Sequence, residues 1–292
     1  MLSPGRIDDI ILAMKSETGE CGLVELASGM QFAEGPAWIG RDNSLLFSDI
    51  HANRIMRWSE GEGLSVWREP SGNANGNTLD TEGRLVTCEH GNRRVSRTER
   101  DGSVVTLADR YRGKRLNSPN DVVVKSDGTV WFTDPPYGIE PGEIEQPANC
   151  VFRLDPETGE LTAVSDDFDR PNGLCFSPDE CSLYVADSSH EPGRSHVRVF
   201  DVAADNTLTG GVVFAPIDPE SPDGMRVDAK GTLYVAAGDG IHIFDPSGGM
   251  KKRIPTPIRP TNCEFGGADG RTLFITARQS LYSIRTTTPG PR

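Results

Sequence analysis

The chain has 292 residues, 36% of them hydrophobic and 7% aromatic, with 32 glycines and 21 prolines, a balance that suits an all-β protein rich in turns. A formal charge of -13, with no basic run longer than Lys251-Lys252-Arg253, argues against nucleic acid or an anionic membrane as partners. No apolar run is long enough to cross a bilayer, and Asp8 and Asp9 stand where a secretory leader needs an apolar core, so the expected location is cytoplasmic.

In chain order, residues 1–20 are read as an N-terminal extension, of which 7–14 could form a short helix, and 21–292 as a single domain. Within that domain a carboxylate or carboxamide precedes a turn and a strand six times: at Glu34, Asn75, Asn120, Asn172, Asp223 and Asn262, in steps of 41, 45, 52, 51 and 39 residues. Asn75, Asn120, Asp223 and Asn262 are each followed by a glycine eight residues on, and Asn172 by Asp179 at seven. A short β-branched and aromatic run comes next in every unit, over 45–49, 85–89, 130–134, 183–187, 233–237 and 273–277. Four of these runs end on an acid: Asp49, Glu89, Asp134 and Asp187. Third strands follow, as at 54–58 and 196–200, and weaker outer strands, as at 64–67 and 104–107. A strand-bearing repeat near 45 residues predicts a six-bladed β-propeller. The last unit lacks an outer strand, which residues 23–26 would supply by closing the ring. Two insertions, 135–149 and 188–195, leave the strand-end acids and should overhang one mouth. The six cysteines form no CxxC or zinc spacing, and Cys88, Cys175 and Cys263 read as small hydrophobes; only Cys175 and Cys181 are a locally plausible disulfide pair.

Equivalent positions in a closed ring face one axis, so the repeat predicts a cluster of oxygens, a central divalent-metal site at one mouth of the channel. Glu34, Asn172 and Asp223 would supply two charges and a carboxamide oxygen, and Asn120 a fourth oxygen. Hard oxygen ligands without His or Cys favour Ca2+, Mg2+ or Mn2+. The competing reading makes each Asn or Asp a turn former only. It suits Asn75 and Asn262 best. It suits Glu34, before Gly-Pro, least.

The phrases Phe32-Ala33-Glu34-Gly35-Pro36-Ala37-Trp38, Ser118-Pro119-Asn120-Asp121, Arg170-Pro171-Asn172-Gly173-Leu174 and Pro222-Asp223-Gly224-Met225 together resemble the senescence-marker-protein/gluconolactonase/luciferin-regenerating-enzyme family over roughly residues 22 to 285. The resemblance implies a propeller holding one divalent ion on Glu34, Asn172 and Asp223, with Asn120 on metal or substrate and Asp223 as general base. The wording around Leu116–Asp121 and Cys88–Arg94 is most similar to bacterial sugar lactonases. Ser118 stands where vertebrate members carry an arginine, so their substrate contacts do not transfer.

The implied reaction is metal-assisted hydrolysis of a sugar lactone of the gluconolactone type, in carbohydrate metabolism. Ca2+ is the expected ion, with Mn2+, Zn2+ or Fe2+ as alternatives. Asp223 is the expected catalytic base, with Glu89, Asp134 and Asp187 in reserve. Asn120, Asp121, Glu89, His90 and Asp134 are the expected substrate contacts; His51 and His190 follow other strand ends. A phosphotriesterase or pentonolactonase at the same site is the first rival, and a binding platform of the WD-repeat kind the second. No Gly-x-Ser-x-Gly elbow or phosphate loop offers other chemistry. Nothing in the pattern sets an oligomeric state.

Overall fold

The computed structural model describes residues 22–191 and 193–291. The expected N-terminal extension and Cys21 lie outside the described residues. The apolar runs form the second strands Ser44–Asp49, Leu85–Glu89, Val130–Asp134, Ser182–Ser188 and Leu233–Ala237, buried almost throughout. Such strands need no polar alternation, because both faces of each sheet pack on neighbouring sheets. Outer strands such as Gly63–Arg68 and Met250–Pro255 are mostly wet.

The chain folds as an all-β propeller of antiparallel sheets, but with five blades, not the six expected. Four sheets have four strands each, beginning at Ala74–Leu79, Val122–Val124, Pro171–Phe176 and Met225–Val227. The fifth has six strands and joins the two ends of the repeat. Its order is Asn262–Gly266, Thr272–Arg285, Val24–Ile39, Ser44–Asp49, Arg54–Ser59, Gly63–Arg68. The difference has a definite cause. Val24–Ile39 pairs with Thr272–Arg285 through Val24↔Ser283 and Glu25↔Tyr282, then bends through register shifts and pairs with Ser44–Asp49 through Ala33↔Asp49 and Trp38↔Leu45. One unbroken strand therefore fuses two repeat units that the sequence separates. A small hairpin, Arg110–Tyr111 with Lys114–Arg115, stands apart.

Aromatic contacts lock neighbouring strands and sheets: Trp131 meets Phe176 edge-on at 5.4 Å, and Trp38 stacks on Phe274 at 5.2 Å. The glycines at the repeat's far end sit in turns, with Gly83, Gly128, Gly231 and Gly270 at φ 74°, 87°, 78° and 69°. Only a residue without a Cβ takes that conformation cheaply. Where the third such phrase meets Asp179, the next residue, Glu180, carries the positive φ instead, at 57°. Cys88, Cys150, Cys175, Cys181 and Cys263 are free thiols, so the Cys175–Cys181 pairing does not form. Among the described residues no helix is long and apolar enough to cross a membrane.

Candidate functional site

The innermost strands start at the repeated phrases, and a cavity of about 500 Å3 opens above them. Glu34, Asn75, Asn120, Asn172 and Asp223 all line it. Glycine at the following position lets these strands crowd together. A Cβ on Gly35 would stand 2.0 Å from the carbonyl oxygen of Asn75, and one on Gly173 would stand 2.3 Å from that of Asp223. Hydroxyls from the second strands hold carbonyls of this ring sideways: Ser48 Oγ donates to Asn75 O at 2.6 Å, and Thr133 Oγ1 to Asn172 O at 2.7 Å. The recurring dipeptide is thus a polar side chain aimed at the axis and a glycine that makes room for its neighbour.

The carboxamides form a chain. Asn75 Nδ2 donates to Asn120 Oδ1 at 2.6 Å, Asn120 Nδ2 to Asn172 Oδ1 at 2.7 Å, and Asn172 Nδ2 lies 3.5 Å from the Tyr137 hydroxyl. His90 Nε2 closes on both ends of the first link, 3.1 Å from Asn75 Nδ2 and 3.3 Å from Asn120 Oδ1. Burial pulls the imidazole down to about 4, so the ring is neutral at ordinary pH. Across the cavity floor Glu34 is buried, and its only hydrogen-bond donors are neutral: the Gly35 amide and Asn262 Nδ2, the latter at 3.2 Å. Burial, then Asp223, then Asp121 push its carboxyl well above the usual range. Burial likewise raises Asp223 to about 7, against the opposing pull of Arg259.

A deeper layer differs. Asp121 points away from the cavity; its Oδ2 lies 3.5 Å from Asn262 Nδ2 and 3.9 Å from Arg226 Nη1. Arg226, buried in the channel, also pairs through Nε with Glu264 Oε2 at 3.0 Å.

Of the expected contacts, Asn120 and His90 reach the cavity, while Asp121, Glu89 and Asp134 do not line it. The strand-end acids are occupied elsewhere. Asp49 Oδ1 accepts from the amides of Gln31 and Phe32, Asp134 Oδ2 from Asn117, and Asp187 from Asp169 and Arg170. Each ties its second strand to the chain entering the same sheet. Glu89 is enclosed by Arg94, Arg68 and Ser96. The reserve bases Glu89, Asp134 and Asp187 are therefore spent on structure. His51 and His190 line the cavity, as do three residues the sequence reading missed: Tyr137, Arg259 and Arg278. Tyr137 comes from the first insertion. Arg278 had one signal, since it follows Ala277, where other units end on an acid.

The expectation of a central metal site built into the fold also needs correction. Among the described residues no group of three or more His, Cys, Asp and Glu side chains could hold an ion. The reason is compositional: the ring supplies only Glu34 and Asp223 at this level, and its other members are carboxamides.

Residues 32–279 match the family described as the SMP-30/Gluconolactonase/LRE-like region. The chain is 36% identical to a gluconolactonase of Zymomonas mobilis, over 91% of its own length and 81% of that protein's. Its fold superposes on a gluconolactonase structure from Xanthomonas campestris with a TM-score of 0.85 and 37% identity, covering 93% of this chain and 90% of that one. A calcium-binding regucalcin from Agrobacterium tumefaciens shares the fold alone, with a TM-score of 0.76 at 19% identity. A family match across most of the sequence, joined to a ring of axial oxygens in a propeller, places this chain in the SMP-30/gluconolactonase/LRE-like family.

Proposed function

We propose that the chain hydrolyses a sugar lactone of the gluconolactone type, with a divalent cation, Ca2+ first, as cofactor. The observation that carries this reading is the convergence of Glu34, Asn120, Asn172 and Asp223 on one cavity, in a chain related along most of its length to a gluconolactonase.

The donor set fits a hard cation. The buried Glu34 and the half-buried Asp223 have, among the described residues, no cation within hydrogen-bond distance, and a carboxamide oxygen that accepts one hydrogen bond keeps a second lone pair. Two carboxylates and two carboxamides are fewer protein ligands than calcium's usual six to eight, so water and substrate would complete the shell and chelators should strip the ion readily. Such an ion supplies Lewis-acid polarisation of the ester carbonyl.

The chain's own groups do the rest. Asp223 accepts the proton of the attacking water, being the carboxylate that lines the cavity beside Asn172, at the end of the carboxamide chain. Asn75, whose Nδ2 donates to Asn120 Oδ1 and lies 3.1 Å from His90 Nε2, fixes the orientation of Asn120. His90, neutral, is left to hydrogen-bond substrate hydroxyls. Opening the ring yields a carboxylate and a hydroxyl on one molecule, with water consumed.

The test is hydrolysis of glucono-δ-lactone in a pH-stat, on EDTA-treated protein before and after adding Ca2+, Mn2+, Zn2+ or Fe2+. Turnover restored by a divalent ion is expected. Hydrolysis of a phosphotriester but no lactone would replace this reading with the phosphotriesterase one.

A further inference from the structure

Arginines in this acidic chain usually find carboxylates. Arg54 pairs with Asp49, Arg198 with Asp167 and Arg226 with Glu264. Arg278 does not: among the described residues its side chain makes no hydrogen bond or close ion pair, although its backbone pairs with Ala33 and it lines the cavity near Asp223, whose carboxyl feels its charge. Its backbone, at φ 47°, is left-handed, a conformation that Arg93, Arg112, Glu180 and Glu220 also adopt and that asparagine takes readily.

Arg259 lines the same wall and is held rigid, with Nη1 on Glu220 and Nη2 3.2 Å from Ser221 Oγ. Arg170 lies behind this wall, its guanidinium 5.9 Å from the centre of the Tyr137 ring that lines the cavity. Two guanidiniums at one opening, in a molecule of net charge -13, form a local field opposite to that of the whole. Arg259 is already paired with Glu220, so if a divalent cation offsets Glu34 and Asp223, as the proposed function has it, the Arg278 guanidinium is the charge at this wall left for a ligand.

We infer that Arg278, backed by Arg259, binds a negatively charged substituent of the substrate, so that the preferred lactone carries a carboxylate or phosphate in addition to its ester. Guanidinium suits both groups, presenting paired donors to two oxygens. The inference rests on the lactonase reading and adds a substrate class to it.

The experiment compares kcat/KM for glucono-δ-lactone, its 6-phosphate and a glucarolactone, in the cation-loaded wild type, Arg278→Asn and Arg278→Lys. Asparagine tolerates the left-handed backbone, so a folded variant is expected, checked by its melting temperature. The wild type should favour one or both anionic lactones over the neutral one. Arg278→Asn should cut that preference ratio by roughly 10- to 100-fold, as expected for loss of a charged hydrogen-bonding pair. Arg278→Lys should restore part of it. Whichever anionic lactone loses more identifies the substituent. Hydrolysis of the neutral lactone without anionic preference, or a ratio unchanged in Arg278→Asn, would overturn the inference and leave the lactonase reading standing. Failure to hydrolyse any lactone would instead remove the reading on which it rests.

Discussion

The channel holds buried carboxylates at two levels, and they are treated oppositely. Deep in it, Asp121 and Glu264 share Arg226, a guanidinium built into the fold. Nearer the cavity, Glu34 and Asp223 receive, among the described residues, only neutral donors at hydrogen-bond range; Asp223 raises Glu34's proton affinity, and Asp121 raises that of both. Burying an ion costs several kcal/mol unless it is paired. The deep level meets that cost from within the chain. The upper level leaves it to a bound ion or proton, and an uncompensated charge of this kind marks a working site.

The comparison breaks most visibly under paired substitutions. Asp223→Asn should lower lactone turnover by about 10²–10⁴-fold, while its melting temperature in EDTA stays level or rises because an unpaired charge has gone. Arg226→Met should do the reverse, costing about 3–5 kcal/mol in urea unfolding because it strands Asp121 and Glu264. A large stability loss in Asp223→Asn would erase the distinction between the levels.

Ca2+ sharpens it. At a hundredfold excess over its Kd the ion should stabilise the wild type by about 2.7 kcal/mol. Calorimetry should show Arg226→Met still responding and Asp223→Asn responding much less.

Asp134 offers a smaller contrast, as a buried staple without a cation in contact. Its Oδ1 has no partner, and burial raises the carboxyl to about 7. A proton is thus bound more tightly folded than unfolded. Its stabilising contribution is complete below about pH 4 and is lost as pH rises through about 7. Asp134→Asn should flatten that part of the stability–pH curve relative to wild type; identical curves would show that Asp134 ionises freely in the fold.

Smallest is Asn75→Ala. It removes the donor to Asn120 Oδ1, so a loss of about 1 kcal/mol and a modest rise in KM are expected, with Ca2+ affinity nearly unchanged.

The repeat made the propeller legible, since second strands such as Val130–Asp134 are continuous apolar runs and their turns carry glycine at fixed spacing. The fusion at Val24–Ile39 was less legible, because whether a strand continues through a bulge depends on pairing partners nearly the whole chain away. Glu34, Asn172 and Asp223 could be seen because they recur. The strand-end acids recur as well, which is why they resembled a catalytic ring. Three of them, Asp49, Asp134 and Asp187, accept from backbone amides 17 or 18 residues upstream and Glu89 from Arg94, Arg68 and Ser96, roles that residue type and spacing cannot tell from catalysis. Arg278 stayed hidden for the opposite reason: it occurs once.

Closure of the ring has a consequence for how the molecule is made. Glu34 meets Asn262, and Thr261 Oγ1 donates to the Ala33 carbonyl, in each case across 228 residues of sequence. On the ribosome the first strand must wait, its edge bare, until almost the whole chain has emerged. Pairing of that reach is slow, and an unpaired edge invites other chains. The segment from Thr261 to Arg285 therefore both seals the sheet and completes the surroundings of Glu34, so that truncation before Thr272–Arg285 should yield chains that aggregate rather than propellers with a weakened site.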